Sequence, residues 1–223
     1  MTAAVAPVSP PASFNGCLGV GPTGTIEGMV IDIQVTPIDG PNGILGSAGP
    51  CRAAADRLPR AGLMRFDSAD VAGLMLDGRF VQVVEHEMAH VLGVGTVWSS
   101  MSLISGSGTS DPRFTGSNAV TEWRALGGTG DVPVEATGGS GTAEAHWRES
   151  VFVSELMTGW LNWGTNPISR LTIASLADLG YQVDLSQADG YTLPSGLLGA
   201  ALRGPMGAVD DGDMILVEPS PLP

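Results

Sequence analysis

The string His86-Glu87-Met88-Ala89-His90 constrains this chain more than any other feature. Its surroundings read as a helix. Phe80, Val83, Val84, Met88, Val91 and Leu92 are apolar at separations of three, four, seven and eight, the pattern of one buried helical face. Neither Pro nor Gly interrupts Arg79 to Leu92, an Asp77-Gly78 turn precedes it, and Gly93 and Gly95 mark its exit. Glycine suits such an exit because it takes the left-handed conformation that ends helices. On this helix, residues four apart share a face, one turn above the other. His86 and His90 therefore present two imidazoles to one point. Burying both rings and the intervening carboxylate without a partner would cost several kcal/mol.

The chain has three histidines in all. The third, His146, lies far downstream in Ala145-His146-Trp147-Arg148-Glu149. Two helical imidazoles and one remote imidazole make a ligand set for a single catalytic Zn²⁺ with an open fourth position. Glu87 is too far round the helix to ligate beside its neighbours. It can still reach a water in the open position, which is the role of a general base in metal-assisted hydrolysis. The pattern thus points to a zinc-dependent endopeptidase, with Glu87 catalytic and His86, His90 and His146 on the metal.

The commonest metzincin pattern places its third histidine six residues after the second, following H-x-x-G. Here Gly93 fits, but position 96 is Thr96. A gluzincin would instead take a distant Glu. Further on, the chain reads Gly138-Gly139-Ser140-Gly141-Thr142-Ala143-Glu144-Ala145-His146-Trp147 and then Glu155-Leu156-Met157-Thr158-Gly159. With these blocks the chain resembles the leishmanolysin-like peptidases, metzincins in which an insertion delays the third zinc histidine. The likeness runs from Ile26 to Val183 and takes in Leu45-Gly46-Ser47-Ala48-Gly49-Pro50, Met64-Arg65-Phe66-Asp67-Ser68-Ala69-Asp70 and Leu176-Ala177-Asp178-Leu179-Gly180-Tyr181. It implies the same three ligands and the same base. It also implies that Met157 lies beneath the zinc in a Met-turn, a role no spacing in the chain reveals.

The implied fold is α+β: a metzincin-like catalytic domain in which a small mixed sheet packs on the zinc helix. A loop-rich C-terminal subdomain then carries the Met-turn and a terminal helix. On this reading residues 1–24 are a loose leader and 25–95 hold the sheet and zinc helix. Residues 96–185 hold the insertion, third ligand, Met-turn and last helix, and 186–223 form an extension. The resemblance also implies a protein or peptide substrate, pairing along one sheet edge, and a secreted, cell-surface or periplasmic location. Relatives open with a strand and a long amphipathic helix, and no such helix is read before Ile26. A sheet face left under-covered would make the chain associate or be marginally stable.

Composition narrows the partners. A formal net charge of −13 argues against nucleic acid and anionic membrane surfaces. No 20-residue apolar run exists, so no transmembrane segment is expected. Met1 to Pro11 has no Lys or Arg and no continuous apolar stretch, so no signal peptide is read there. Cys17 and Cys51 permit one disulfide or two free thiols, and a Cys17 thiolate capping a latent zinc site is a third reading. The sequence leaves the oligomeric state open.

Along the chain, Gly24 to Val35 reads as a strand, Ile44 to Ala48 as a short extended piece and Leu63 to Asp67 as another strand. Ser117 to Leu126 reads as a helix stopped by Gly127-Gly128. The last helix is expected to be capped by Asn166, with Pro167 at its first position and Gly180 at its end. Asp210-Asp211-Gly212-Asp213 resembles part of a calcium loop, but the remaining ligand spacing is absent, and a solvated acidic turn is the simpler reading. Two rival functions stand beside the peptidase: a catalytically inactive or structural zinc protein, and an adhesive module recognising partners through acidic, Gly-rich loops. An intact Glu87 speaks against the first, since a structural site needs no base.

Overall fold

The computed structural model describes residues 17–18, 28–54 and 56–194. The loose N-terminal segment expected at 1–24, apart from Cys17 and Leu18, the start of the first expected strand at 24–27 and the acidic turn at 210–213 lie outside them.

Three strands build the first layer: β1 (Val30–Thr36), β2 (Gly46–Ala53) and β3 (Pro59–Asp67). Their order is β1-β3-β2, with β1 parallel and β2 antiparallel to the central β3. β2 and β3 are longer than their apolar runs suggest, because backbone pairing carries them through Gly49-Pro50 and Pro59-Arg60. The β2–β3 register shifts around Cys51, and this cysteine is bonded to Cys17 with a Cα–Cα distance of 5.8 Å. That settles the cysteine question in favour of a disulfide and removes the thiolate that would cap a zinc site.

A short helix α1 (Val71–Leu76) leads into α2 (Phe80–Val91), the helix of the two histidines. Strand alternation puts Gly62, Met64 and Phe66 of β3 on one face, and α2 packs there. A side chain at Gly62 would collide with Val91, so this glycine lets helix and strand approach. Leu45, Met64, Phe66, Leu74, Val83 and Val91 form the resulting core. On the opposite face Ala61 packs with Val30 and the two cysteines. At the β1 edge Ile33 and Val35 are 61% and 57% exposed, so α2 leaves that margin of the sheet uncovered.

The second half builds a larger core. It contains a small sheet of β4 (Ile104–Ser105), β5 (Arg113–Phe114) and β6 (Val132–Pro133), with helices α3 (Ser117–Ala125), α4 (Glu149–Phe152) and α5 (Arg170–Leu179). Although only 5% of the chain is aromatic, Trp98, Phe114, Trp123, Trp147 and Phe152 gather in this one core. The fold is thus mixed α+β, with two small sheets and five helices among the described residues.

The expected N-terminus of α5 is corrected. Its cap is Ser169, whose side chain accepts from Thr172 N. Asn166 is occupied elsewhere, donating to Gln82 Oε1 at 2.7 Å and accepting from Asn162 N at 3.0 Å. Pro167 does not start the helix, and its carbonyl accepts from Leu156 N at 2.9 Å. Residues beyond α5 fold back on the domain: Asp189 accepts from Ile168 N, and Tyr191 donates to the Phe152 carbonyl.

Candidate metal centre

The helix-ending glycine does more than terminate α2. Gly93 is left-handed (φ 108°), and Gly93 N and Val94 N return to the carbonyls of His90 and Ala89. This turn carries the Val94 carbonyl back to the ring of His90, whose Nδ1 lies 2.8 Å from it. Thr96, at the position where the commonest metzincin pattern has a histidine, donates its hydroxyl to the His90 carbonyl at 2.8 Å.

His146 follows a run of turns at 141–145 and is held just before the bridge residue Trp147. Glu135 N donates to the His146 carbonyl at 2.8 Å, and Trp147 N donates to the Met157 carbonyl at 2.9 Å. Gly95 (φ 78°) makes the approach possible, since a Cβ there would overlap the Ala145 carbonyl. Gly159 likewise leaves room for Thr142, whose carbonyl faces the His146 ring.

The three rings meet. The Nε2 atoms of His86 and His90 are 2.9 Å apart, those of His86 and His146 3.1 Å, and those of His90 and His146 3.0 Å. All three residues are buried. Each Nδ1 faces a backbone carbonyl: Leu156 at 2.7 Å for His86, Val94 at 2.8 Å for His90 and Thr142 at 3.1 Å for His146. A carbonyl only accepts, so each Nδ1 carries the proton and each Nε2 presents a bare lone pair. Burial holds all three rings well below the ordinary imidazole range, His90 at about 4. For His86, the charges of the other two rings add to the burial.

Three neutral lone pairs converging within 3.1 Å, with no proton between them, are a cradle for a cation. Nitrogens each about 2.0–2.1 Å from one tetrahedral zinc stand about 3.3 Å apart, a few tenths of an ångström from the spacing here. Carbonyls behind the rings fix tautomer and orientation, as partners of ligating imidazoles do. The donor set therefore fits zinc. Among the described residues this trio is the one cluster of histidine, cysteine or carboxylate groups close enough to share an ion.

Glu87 is fully buried on α2. A Cβ added to Gly46, at the start of β2, would stand 2.6 Å from Glu87 Oε1. The glycine in the Leu45-Gly46-Ser47 block thus makes space for the carboxylate, which no spacing rule announced. Met157 is buried in the larger core, and its carbonyl is tied to the residue after His146. The backbone carbonyls behind the rings were invisible to sequence reasoning, because every residue has one and only the fold selects which.

The family model for leishmanolysin matches residues 20–196. The leishmanolysin of Leishmania donovani is 31% identical over 172 residues, covering 72% of this chain and 28% of that protein. That of Leishmania chagasi is 30% identical over 168 residues, covering 70% and 28%. A leishmanolysin homolog of Crithidia fasciculata is 28% identical over 149 residues, covering 62% and 22%. The chain thus spans less than a third of the length of these relatives. With a three-imidazole cradle at its centre, the chain belongs to the leishmanolysin family.

Proposed function

We propose that this chain is a zinc-dependent endopeptidase that hydrolyses peptide bonds with Glu87 as general base. The observation that carries the reading is the convergence of three bare Nε2 atoms, two of them on the helix that also carries Glu87. Family membership supports it.

His86, His90 and His146 would hold one Zn²⁺, and their Nδ1–carbonyl bonds keep the lone pairs aimed without rearrangement. When bound, the ion supplies Lewis acidity toward the scissile carbonyl and lowers the pKa of water toward about 7. Glu87 takes a proton from the attacking water and passes it to the leaving amine. Gly46 leaves that carboxylate the room to do so. Met157 is the floor of the site in this reading, and residues 96–185 form the subdomain that delivers it and His146. A protein or peptide is the substrate. The Cys17–Cys51 bond supports an oxidising compartment, in keeping with a secreted, cell-surface or periplasmic protein. No helix among the described residues is long and apolar enough to cross a membrane.

Metal analysis joined to a chelator-sensitive peptide assay tests this. The purified chain is expected to carry one zinc per molecule and to cleave an unfolded casein-like substrate. Glu87→Gln is expected to keep the zinc and lose about 10²–10⁴-fold in kcat. Undiminished turnover in that variant would reject the base assignment, and absence of bound zinc would reject the site.

A further inference from the structure

One buried carboxylate lies outside the mechanism yet is tied to the turn that supports one ring and, through one hydroxyl, to the residue after another. Glu155 is fully buried, and four donors converge on it. Met157 N donates to Oε2 at 2.6 Å. Ser169 N and Ser169 Oγ donate to Oε1 at 3.1 and 2.6 Å, and the Thr172 hydroxyl donates to the same oxygen. Thr172 Oγ1 in turn accepts from the indole of Trp147 at 2.7 Å.

Two branches leave this node. The first runs through the turn: Glu155 fixes Met157 N, and the peptide just before it is Leu156, whose carbonyl accepts from His86 Nδ1. The second runs through Thr172 to Trp147, the neighbour of His146. The node itself is anchored on α5, because Ser169 caps that helix and Thr172 lies in its first turn. An apolar side chain would fill the volume but leave four buried donors without this acceptor, which buried polar groups do not tolerate cheaply. A carboxylate there has a structural reason. Its place between that turn and Trp147 gives it a second one.

We propose that Glu155 is a positioning residue for the histidine trio, locking the Leu156–Met157 turn behind His86 to Trp147, the residue after His146. It touches neither substrate nor metal and acts only through the orientation of the two rings. The inference rests on reading the trio as a zinc site.

Glu155→Gln is the discriminating variant. It conserves volume, but wherever its NH₂ lies, a donor faces a donor. Zinc affinity by chelator competition and the visible absorption of the cobalt-substituted protein are the readouts, both taken without turnover. The variant is expected to bind zinc about 10–100-fold more weakly, the range for groups that orient metal ligands, and to shift the cobalt bands. Thr172→Val, which removes only the hydroxyl on the Trp147 branch, is expected to move both readouts in the same direction by less. Leu176→Ala, a truncation in the same core, is expected to lower the melting temperature and leave both unchanged.

Wild-type zinc affinity and cobalt spectrum in Glu155→Gln, whatever its melting temperature, would overturn the proposal. If that variant does not fold, an unchanged spectrum in Thr172→Val overturns it instead. Failure of the unmutated chain to take up zinc or cobalt would remove the zinc reading itself and this inference with it.

Discussion

At the residue scale, the site depends as much on missing side chains as on those present. A methyl group at Gly46 would press on the end of the Glu87 side chain, 2.6 Å away, and on the Arg65 carbonyl at 3.1 Å. The carboxylate is the softer of the two and yields first. Gly46→Ala is therefore expected to fold and hold zinc normally but to lose about a hundred-fold in kcat, the usual consequence of misplacing a reacting group by about 1 Å. Unchanged kcat would show that Glu87 has other room.

The rings make a prediction in acid. In the folded, metal-free chain burial keeps His90 neutral down to about 4, and His86 and His146 are also depressed well below the ordinary value. Unfolded, all three titrate near 6.5. Below that pH the unfolded chain binds more protons, so folding stability falls as pH drops from about 6.5 toward 4 and is level above. Glu85 and Glu155, raised mainly by burial, work in the opposite sense over the lower part of this window, but three rings outnumber them. Urea midpoints of chelator-treated protein between pH 8 and 4.5 check this. A midpoint that does not fall over that range would mean that the rings are solvated.

At the element scale, the three longest helices end in one way and begin in several. After α2, α3 and α5 a left-handed glycine (Gly93, Gly127, Gly180) and the residue after it bond back to carbonyls three and five residues earlier. Such exits are local, and all three were legible. The starts of α2 and α3 were legible too, after the Asp77-Gly78 turn and at Ser117, but what caps α3 was not. The N-cap of α3 is Gly116, which has no side chain to offer, and Asp178 from α5 caps it from outside, accepting from Asn118 N and Ala119 N at 2.9 Å each. Asp178→Ala is expected to lower unfolding free energy by about 0.5–2 kcal/mol, measured by urea denaturation. No change would mean that water replaces the cap.

The same split explains what else was read and missed. α2 was legible because twelve residues repeat their apolar face. His146 was legible because the chain has no other histidine to complete the set. Asn166-Pro167 satisfied the local rule for a helix start, yet tertiary contacts with Gln82 and Leu156 claimed both residues. α1, with six residues, and the two-residue strands of the second sheet are too short to show a period.

On the scale of the whole molecule, two cores meet at α2. The first is stapled by Cys17–Cys51, across 34 residues, on the sheet face away from the histidines. Closing a loop of that length is worth about 3–4 kcal/mol in the chain-entropy model. Replacing both cysteines with serine is expected to lower stability by about 2–4 kcal/mol and to leave zinc affinity unchanged, both measurable on one preparation by denaturation and chelator competition. Loss of zinc affinity would mean that strain crosses the sheet.

The third imidazole comes from the second core, 56 residues after His90 and 60 after His86. Under the proposed function, a chain made only as far as Gly95 holds two of the three imidazoles, and the third arrives only when Ala145 packs against Gly95. Metal uptake on that reading waits for the two cores to join, and hydrolysis waits for the metal.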